Sequence, residues 1–337
     1  MNLPQRISLL EKLGNYMRSQ DTDWLDAKNR ASLENGWFVP PFIESAINQI
    51  AENWLHQKAL EEWTTNENVS IENSKPKKIG LVLAGNIPLV GFHDWLSVFI
   101  TGNHSLIKTS SKDRILLEHL IGKMIQWEPS LQNEMNFADR LTGCDGYIAT
   151  GSNNSSRYFE YYFSKYPHLI RKNKTSAAIL TGKETREDLE KLAEDVHLYF
   201  GLGCRNVTKI YVPTQYDFIP LLEAFKKFSW LSDNHKFKNN YDYNLALYIL
   251  NKKYYMTNGT VLLIEDASLF APVTQLNYEF YTDKNALVSS LSNHPDLQSL
   301  VGNDNPLIPF GKSQSPALAD YADGSNTLAF LNKKMLN

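Results

Sequence analysis

The chain has 337 residues, of which 42% are hydrophobic and 21% are charged, and its net charge is −3. This length exceeds the usual size of one hydrophobic core, so two domains are expected. Lysine and arginine are spread along the sequence, which argues against a nucleic-acid partner, and two cysteines are too few for a disulfide framework and indicate a reducing compartment.

The sequence predicts a cytoplasmic protein. Residues 1–20 are amphipathic and charged and lack the apolar centre of a signal peptide. The most apolar window, 81–100, contains a proline, an asparagine, a histidine and an aspartate, so no membrane span is expected. The eight histidines show no metal-ligand spacing, so no metal centre is expected either.

Helices are predicted first in the chain, over residues 3–19, 22–34 and 41–63, and a polar linker or exposed hairpin follows over 64–78. From residue 79, apolar runs of strand length alternate with helical stretches. The predicted strand and helix pairs are 79–84 with 89–100, 105–108 with 113–127, 147–149 with 152–164, and 177–180 with 185–200. This order predicts an α/β fold with a parallel sheet, in which nucleotides bind where strands end and helices begin.

The alternation continues to the C-terminal part of the chain. The predicted strands there are 209–212, 260–264 and 273–281, and the predicted helices are 216–227, 244–252 and 284–292. Between the two sets lies the segment with the strongest chemical signal, 197–213, in which Gly201 and Gly203 precede Cys204. Glycines allow a sharp turn and a close approach of a ligand, so Cys204 would present a thiolate beside its own backbone N–H. A lone cysteine is also commonly a small buried hydrophobe, and the local residues leave both interpretations open.

Four polar turns add candidate sites, each with a plain structural alternative. Asn86, in Gly-Asn-Ile-Pro at 85–88, would donate its amide to an oxyanion, or simply belong to a turn that starts a helix. Lys108 with the hydroxyls after it suits a ribose or phosphate, or forms a solvated loop with a helix cap. The segment 149–156 suits a pyrophosphate or is a plain cap. The segment 309–316 is a wall of the site or an ordinary crossover.

Taken in order, these segments resemble the aldehyde dehydrogenase superfamily, and within it the LuxC-like acyl-CoA reductases that supply fatty aldehydes. The similarity covers residues 78–329, and its order and spacing are more specific than any single motif. Residues 201–204 are similar to the Gly-x-x-Cys motif, which implies that Cys204 is the nucleophile. Residues 85–88 are similar to the Asn-x-Pro turn, which implies that Asn86 is an oxyanion donor.

The resemblance also implies a nicotinamide site. Residues 102–110 are similar to a ribose-binding Gly-Asn-x-x-x-x-Lys-Pro-Ser element, with Thr109 in place of proline, so Lys108 and Ser110 are expected to bind the cofactor. Thr150, Gly151 and Ser152 are similar to the helix start that contacts the pyrophosphate. Further on, 270–273 and 309–311 are similar to the family's Phe-Gly-Pro-Val and Pro-Phe-Gly segments.

Two departures from the family pattern refine the expected reaction. The glutamate base of hydrolytic relatives aligns with Ile170, and without that base water is a poor acceptor for an acyl-enzyme, whereas exchange with a thiol needs no such base. The glutamate that binds the nicotinamide ribose in many relatives aligns with Ser268, so the resemblance does not imply that contact here.

The sequence therefore predicts reduction of a fatty acyl thioester, on CoA or an acyl-carrier protein, to the aldehyde through an acyl-cysteine. The resemblance implies NADPH, and the residues leave NADH open. The alternatives are a CoA-acylating aldehyde dehydrogenase for short aldehydes and a non-reducing acyl-binding or acyl-transfer relative. The expected domains are a Rossmann-like cofactor domain with the N-terminal helices (1–199), a smaller α/β catalytic domain (200–308) and a segment that crosses back (309–337). A homodimer is implied by the resemblance alone.

Overall fold

The computed structural model describes residues 1–151 and 153–334. The chain forms two compact units, the first built from Met1–Asn173 and the segment from Pro316 onward, and the second from Lys174–Ser315. The first unit begins with the helices α1 (Leu3–Met17), α2 (Thr22–Glu34), α3 (Pro40–Asn53) and α4 (Gln57–Asn66). The single helix expected over 41–63 is thus two helices, because His56 is extended and its ring caps α4 by accepting from the Ala59 N–H.

The sheet of the first unit follows. Its strands are β1 (Lys78–Val82), β2 (His104–Lys108), β3 (Met135–Phe137), β4 (Gly146–Thr150) and β5 (His168–Arg171). Its helices are α5 (Phe92–Ile100), α6 (Ile115–Trp127) and α7 (Asn153–Phe163). The strand order is β3-β2-β1-β4-β5 and the pairings are parallel, so the expected parallel sheet is confirmed.

Strand order and register decide which residues share the carboxyl edge of this sheet. In this sheet β2 and β3 lie on one side of β1, and β4 and β5 lie on the other. Val82, the last residue of β1, pairs with Lys108 on one side and with Ala149 on the other. The edge between β1 and β4 is therefore the point at which the chain changes direction across the sheet, where open α/β folds bind ligands.

The second unit contains a second sheet. Its elements in chain order are β6 (Thr175–Ile179), α8 (Arg186–His197), β7 (Val207–Pro213), α9 (Ile219–Phe225), α10 (His235–Leu250), β8 (Met256–Thr257), β9 (Leu262–Glu265), β10 (Gln275–Tyr281), α11 (Lys284–Leu291) and β11 (Leu297–Val301). The order is β11-β6-β7-β10-β9-β8, and β8 alone among these pairs runs antiparallel to its neighbour. The boundary lies after Asn173 and not after Tyr199, because β6 pairs with β7 and β11 and belongs to their sheet.

The C-terminal segment belongs to the first unit from Pro316, a few residues later than the expected crossing point at 309. It ends in α12 (Thr327–Ala329) and a turn of π-helix at Phe330–Lys334. Leu328 and Leu331 are buried in the core formed by the N-terminal helices and the first sheet. Among the described residues, none of the helices combines the length and the apolar character that crossing a membrane requires.

Candidate active site

Three of the expected cofactor-binding residues lie along the carboxyl edge of the first sheet. Lys108 ends β2 and Thr150 ends β4, on either side of β1, and Gly151 follows Thr150 directly. Lys108 is exposed and makes no ion pair within the described part of the chain. The Thr150 hydroxyl donates to Asp94 Oδ2 at 3.4 Å. Ser152, another of the five expected cofactor-binding residues, lies outside the described residues.

The turn after β1 is packed tightly against the loop after β2. A Cβ on Gly85 would lie 2.6 Å from both Cβ and Oγ of Ser110, so only glycine allows this approach. The Ser110 Oγ in turn accepts from the Lys112 N–H at 3.2 Å. Asn86 is exposed at the tip of the turn. Ser110 therefore supports the turn that carries Asn86, besides the cofactor-binding role that the resemblance implies.

Asp113, which the sequence predicts only as the first residue of a helix, fixes the other end of the same turn. Its buried carboxylate accepts from the backbone N–H groups of Leu89 and Val90. Leu89 is in the left-handed region with φ of 56°, a conformation that costs about 1 kcal/mol for such a residue and needs support. Burial raises the pKa of Asp113 to about 7, although the two backbone N–H groups act in the opposite direction.

A buried ion pair ties the end of the first sheet to the C-terminal segment. Arg171, at the end of β5, donates to Asp94 at 2.8 Å, and also to the hydroxyl of Thr327 and the carbonyl of Ala322. Burial by itself would raise the pKa of Asp94, but the Arg171 guanidinium outweighs it and holds the pKa below its usual value. His93, its neighbour, points elsewhere and contacts the carbonyl oxygen of Leu318.

The cysteine turn lies in the second unit. After α8, Tyr199, Phe200 and Gly201 are all in the left-handed region, with φ of 56°, 58° and 73°. The side chains of Tyr199 and Phe200 are buried, which holds this unfavourable backbone in place. Cys204 follows, half-buried, and its carbonyl accepts from the Ser176 hydroxyl on β6 at 3.2 Å. The helix expected to continue to residue 200 ends at His197 because of this turn.

Asn206 connects both ends of the turn. Its Oδ1 accepts from the Gly203 N–H at 2.8 Å, and its Nδ2 donates to the carbonyls of Asp195, Val196 and Leu198. The residue has no exposed surface. Sequence reasoning missed it, although an asparagine two residues after a Gly-x-Gly-Cys turn is a residue type that bonds nearby backbone.

Asp195 attaches the 309–313 segment to the helix that leads into this turn. Its carboxylate accepts from the N–H groups of Gly311 and Ser313 and from the Ser313 hydroxyl, at 2.7–3.0 Å. Burial raises the pKa of Asp195 to about 6, against the effect of these hydrogen bonds. The segment similar to the family's Pro-Phe-Gly motif is therefore held beside the end of α8.

A cavity in the second unit joins two of the expected segments. It encloses about 370 Å³ including its opening and is lined by Phe200 and Gly201 of the cysteine turn and by residues 271–273. His197 also lines it; burial lowers the pKa of His197 to about 4, so the ring is neutral. Its Nδ1 faces the Ala193 carbonyl at 2.9 Å, and its Nε2 has no hydrogen-bond partner among the described residues.

The structure shows the surroundings of Ile170 and Ser268, the two residues at which the sequence is expected to depart from the family pattern. Ile170 lies within β5 and pairs with Ala149, so an aliphatic side chain stands where hydrolytic relatives are expected to carry a base. Ser268 uses its hydroxyl within its own turn, donating to the Phe270 carbonyl at 2.9 Å. Within the described ranges, no cluster of histidine, cysteine or acidic side chains is arranged to hold a metal ion. Cys144 is buried, and burial raises the pKa of its thiol, which makes it a poor nucleophile.

Solved structures with the same fold are aldehyde dehydrogenases and related enzymes. The NAD-dependent aldehyde dehydrogenase from Sinorhizobium meliloti superposes with a TM-score of 0.69 at 12% identity, covering 93% of this chain and 72% of that one. Aldehyde dehydrogenase 21 from Physcomitrella patens, in complex with the product succinate, gives 0.67 at 13% identity, covering 90% and 74%. An NADP-dependent enzyme from E. coli gives 0.63 at 12%, with coverage of 90% and 74%. No curated protein matches the sequence.

The chain therefore has the aldehyde dehydrogenase fold, with a parallel sheet in one unit and a second, mixed sheet in the other. The family model of the LuxC acyl-CoA reductases matches residues 42–226, more than half of the chain. The protein belongs to this family, which makes it an oxidoreductase of the acyl and aldehyde type. The fold and the resemblance expected from the sequence are both confirmed.

Proposed function

We propose that the protein reduces a fatty acyl thioester, carried on CoA or on an acyl-carrier protein, to the aldehyde, with Cys204 as the nucleophile. The observation that carries the proposal is the cysteine turn, in which a half-buried cysteine follows three left-handed residues and is braced by buried Asn206. Such a turn stores backbone strain at one point, as nucleophile turns do, and a purely structural cysteine has no need of it.

The thiolate of Cys204 attacks the thioester carbonyl. A carbon–sulfur bond to Cys204 forms, the bond to the carrier thiol breaks, and the carrier leaves as a thiolate. The Cys204 N–H and the Asn86 amide are the proposed oxyanion donors, each worth about 3 kcal/mol in the transition state. Ile170, in the place of a carboxylate base, cannot activate water, so the acyl-cysteine is preserved for reduction.

The carboxyl edge of the first sheet fits a nicotinamide dinucleotide. The fit rests on the order of the strands, on Lys108 and Thr150 to either side of β1, and on the close approach that Gly85 permits. Lys108 and Ser110 would bind the adenosine side, and Thr150, Gly151 and Ser152 the pyrophosphate. When bound, the cofactor supplies the hydride that reduces the acyl-cysteine, and the aldehyde leaves as the Cys204 sulfur is released. NADPH is the proposed cofactor, through the Lys108 charge, and enzymes of this fold use either NAD or NADP by name.

The test compares Cys204→Ala with the matched variant Cys144→Ala. Each protein is incubated with tetradecanoyl-CoA, with and without NADPH, and assayed for acylated protein by mass spectrometry, for aldehyde and for loss of reduced nicotinamide. Cys204→Ala is expected to lose the acyl adduct and to slow aldehyde formation by a factor on the order of 10⁴ or more, while Cys144→Ala keeps both. If Cys204→Ala still formed the acyl adduct, Cys204 would not be the nucleophile.

One structural observation supports a second candidate, an acyl-transfer protein that makes the acyl-cysteine without reducing it. The Ser268 hydroxyl is engaged in its own turn, so no carboxylate is offered to the nicotinamide ribose at that position. In the same assay this protein would show the acyl adduct on wild type, no aldehyde and no NADPH consumption. A CoA-acylating dehydrogenase for short aldehydes would instead favour acetyl-CoA over tetradecanoyl-CoA. We further propose that the protein is cytoplasmic, because it has only two cysteines. We also propose that it forms a homodimer, because of the family resemblance.

A further inference from the structure

The C-terminal half of α10 carries apolar side chains on all of its faces. One face packs on the second sheet, where Tyr241, Leu262 and Ile264 form a small buried cluster. The opposite face projects outward and carries large apolar or aromatic side chains. They are Tyr243, Leu247 and Leu250, joined by Ile249 on an adjoining exposed face and continued after the helix by Tyr254. We call these five residues the α10 ridge. A surface helix with a core-facing stripe has no structural need for this second stripe.

The α10 ridge is one of the most exposed apolar features that the described residues offer. Leu250 is 78% exposed and Tyr254 is 73% exposed, values found for side chains that project from the surface. Three of the helical members, Tyr243, Leu247 and Leu250, are four and three residues apart and so share one helix face, while Ile249 is exposed on an adjoining face. Contiguous exposed apolar residues of this kind mark an interaction surface, whereas scattered single ones do not.

The charge around the ridge differs in sign from that of the whole chain. Residues 235–254 contain four lysines and one aspartate, while the whole chain has a net charge of −3. The aspartate, Asp242, is paired with Lys238 within the helix. Lys252 and Lys253 are exposed between Leu250 and Tyr254 and make no ion pair within the described ranges. A locally basic apolar ridge is therefore complementary to a surface that is anionic outside and apolar inside.

We propose that the α10 ridge docks the protein on the surface of an anionic lipid bilayer. The leucine and isoleucine side chains match the acyl boundary of a bilayer, and the two tyrosines that flank them match the headgroup level that tyrosine prefers. The two lysines are placed to meet lipid phosphates. A second copy of the chain is a poorer occupant, because two lysine-rich segments would face each other. A protein partner would require a matching groove, whereas a fluid bilayer adapts to any ridge. The helix lies on the membrane and does not cross it.

The test is sedimentation of the full-length protein with vesicles. Vesicles of phosphatidylcholine alone are compared with vesicles containing about 30% phosphatidylglycerol, at low and at high sodium chloride. We expect binding to the anionic vesicles that weakens at high salt. The double variant Leu247→Ser/Leu250→Ser and the double variant Lys252→Glu/Lys253→Glu should each weaken it by about tenfold or more.

The matched control is Leu33→Ser, an exposed leucine on α2 in the other unit. This variant should bind vesicles as wild type does, and denaturant unfolding of every variant checks that the fold is retained, since Leu247 is 40% exposed and Leu250 is 78% exposed. Absence of binding to anionic vesicles, or equal binding by wild type and the ridge variants, overturns the proposal. A dimer in solution that the ridge variants lose, with no vesicle binding, would assign the surface to a second copy and also overturn it.

Discussion

Asn206 has no exposed surface, and its two polar atoms bond both ends of the turn that carries Cys204. Replacing it with alanine leaves the Gly203 N–H and three carbonyls without that partner in a buried place. We expect Asn206→Ala to lower the free energy of unfolding by about 3 kcal/mol and to slow acylation of Cys204 in the variant that remains folded. Urea unfolding and mass spectrometry of the acyl adduct measure the two effects.

Asn251→Ala is the matched control for that change. Asn251 is exposed, and its side chain bonds only the Leu247 carbonyl of its own helix. The free energy of unfolding of Asn251→Ala should stay within about 0.5 kcal/mol of wild type, and Cys204 should be acylated at the normal rate. If Asn206→Ala acylated at the wild-type rate, the side chain would have a purely structural role.

The carboxyl group of Asp113, which holds the turn that carries Asn86, makes the stability of the protein depend on pH. Its pKa is raised from 3.8 to about 7 in the folded protein, so between these values the folded state holds a proton that the unfolded state has lost. Stability from this group therefore falls as pH rises from about 4 to about 7, by an amount on the order of 4 kcal/mol, and is constant above. Asp113→Asn should match wild type near pH 4 and be more stable above pH 7.

In Asp113→Asn the amide oxygen can still accept from the N–H groups of Leu89 and Val90, and the side chain is neutral at every pH. The substitution therefore removes only the charge. Urea unfolding over the same pH range measures the difference, and the exposed Asp26→Asn serves as the control. Parallel curves for wild type and Asp113→Asn would show that the carboxyl titrates normally.

At the scale of elements, the close contact between the turn after β1 and the loop after β2 depends on Gly85. A methyl group there meets Ser110 at 2.6 Å, so one of the two loops must move. We expect Gly85→Ala to lower stability by about 1–3 kcal/mol and to weaken NADPH binding, because the displaced turns form the edge proposed for the cofactor. Thermal unfolding and fluorescence titration with NADPH measure these effects.

Gly122, in the middle of α6, is the contrasting position. A Cβ there meets nothing within 4 Å, and its backbone is helical. Gly122→Ala should therefore raise stability by about 0.5–1 kcal/mol and leave NADPH binding unchanged. Equal NADPH affinity in both alanine variants would contradict the assignment of the cofactor edge.

The elements that sequence reasoning missed have a common physical character. β3, β5, β8 and β11 are the outermost strands of their sheets, and they are short or carry polar residues. An edge strand has one neighbour and a partly wet face, so its residues need not form the apolar run that identifies a buried strand. The central strands were recognised because they are buried on both faces.

At the scale of the whole molecule, the segment after Pro316 completes the core of the first unit. Trp54 Nε1 donates to the Pro316 carbonyl, Trp63 Nε1 donates to the Tyr321 hydroxyl, and Leu328 is fully buried. Leu328→Ala should lower the free energy of unfolding by about 2–5 kcal/mol, through lost burial and the cavity left behind. Hydrogen exchange should show the lost protection in the first unit.

Leu33→Ala gives the comparison, since the Leu33 side chain is 86% exposed and its loss should change stability by no more than about 0.5 kcal/mol. If the two leucine variants unfolded at the same urea concentration, the C-terminal segment would not be part of the core.

The sequence by itself determined the alternation of strands and helices, the parallel first sheet and the exceptional character of the turn before Cys204. These features are recorded in neighbouring residues, as apolar runs and glycines, and so can be read locally. The order of the motifs likewise indicated the LuxC family.

The tertiary structure alone decided where the units divide and which polar side chains hold the candidate site. β6 follows the first sheet in sequence but pairs with β7 and β11, and strand pairing depends on contacts far apart in the chain. Asp113, Asp195 and Asn206 look like ordinary turn and cap residues in the sequence. Their roles arise from burial and from bonds to distant backbone groups, which no local pattern encodes.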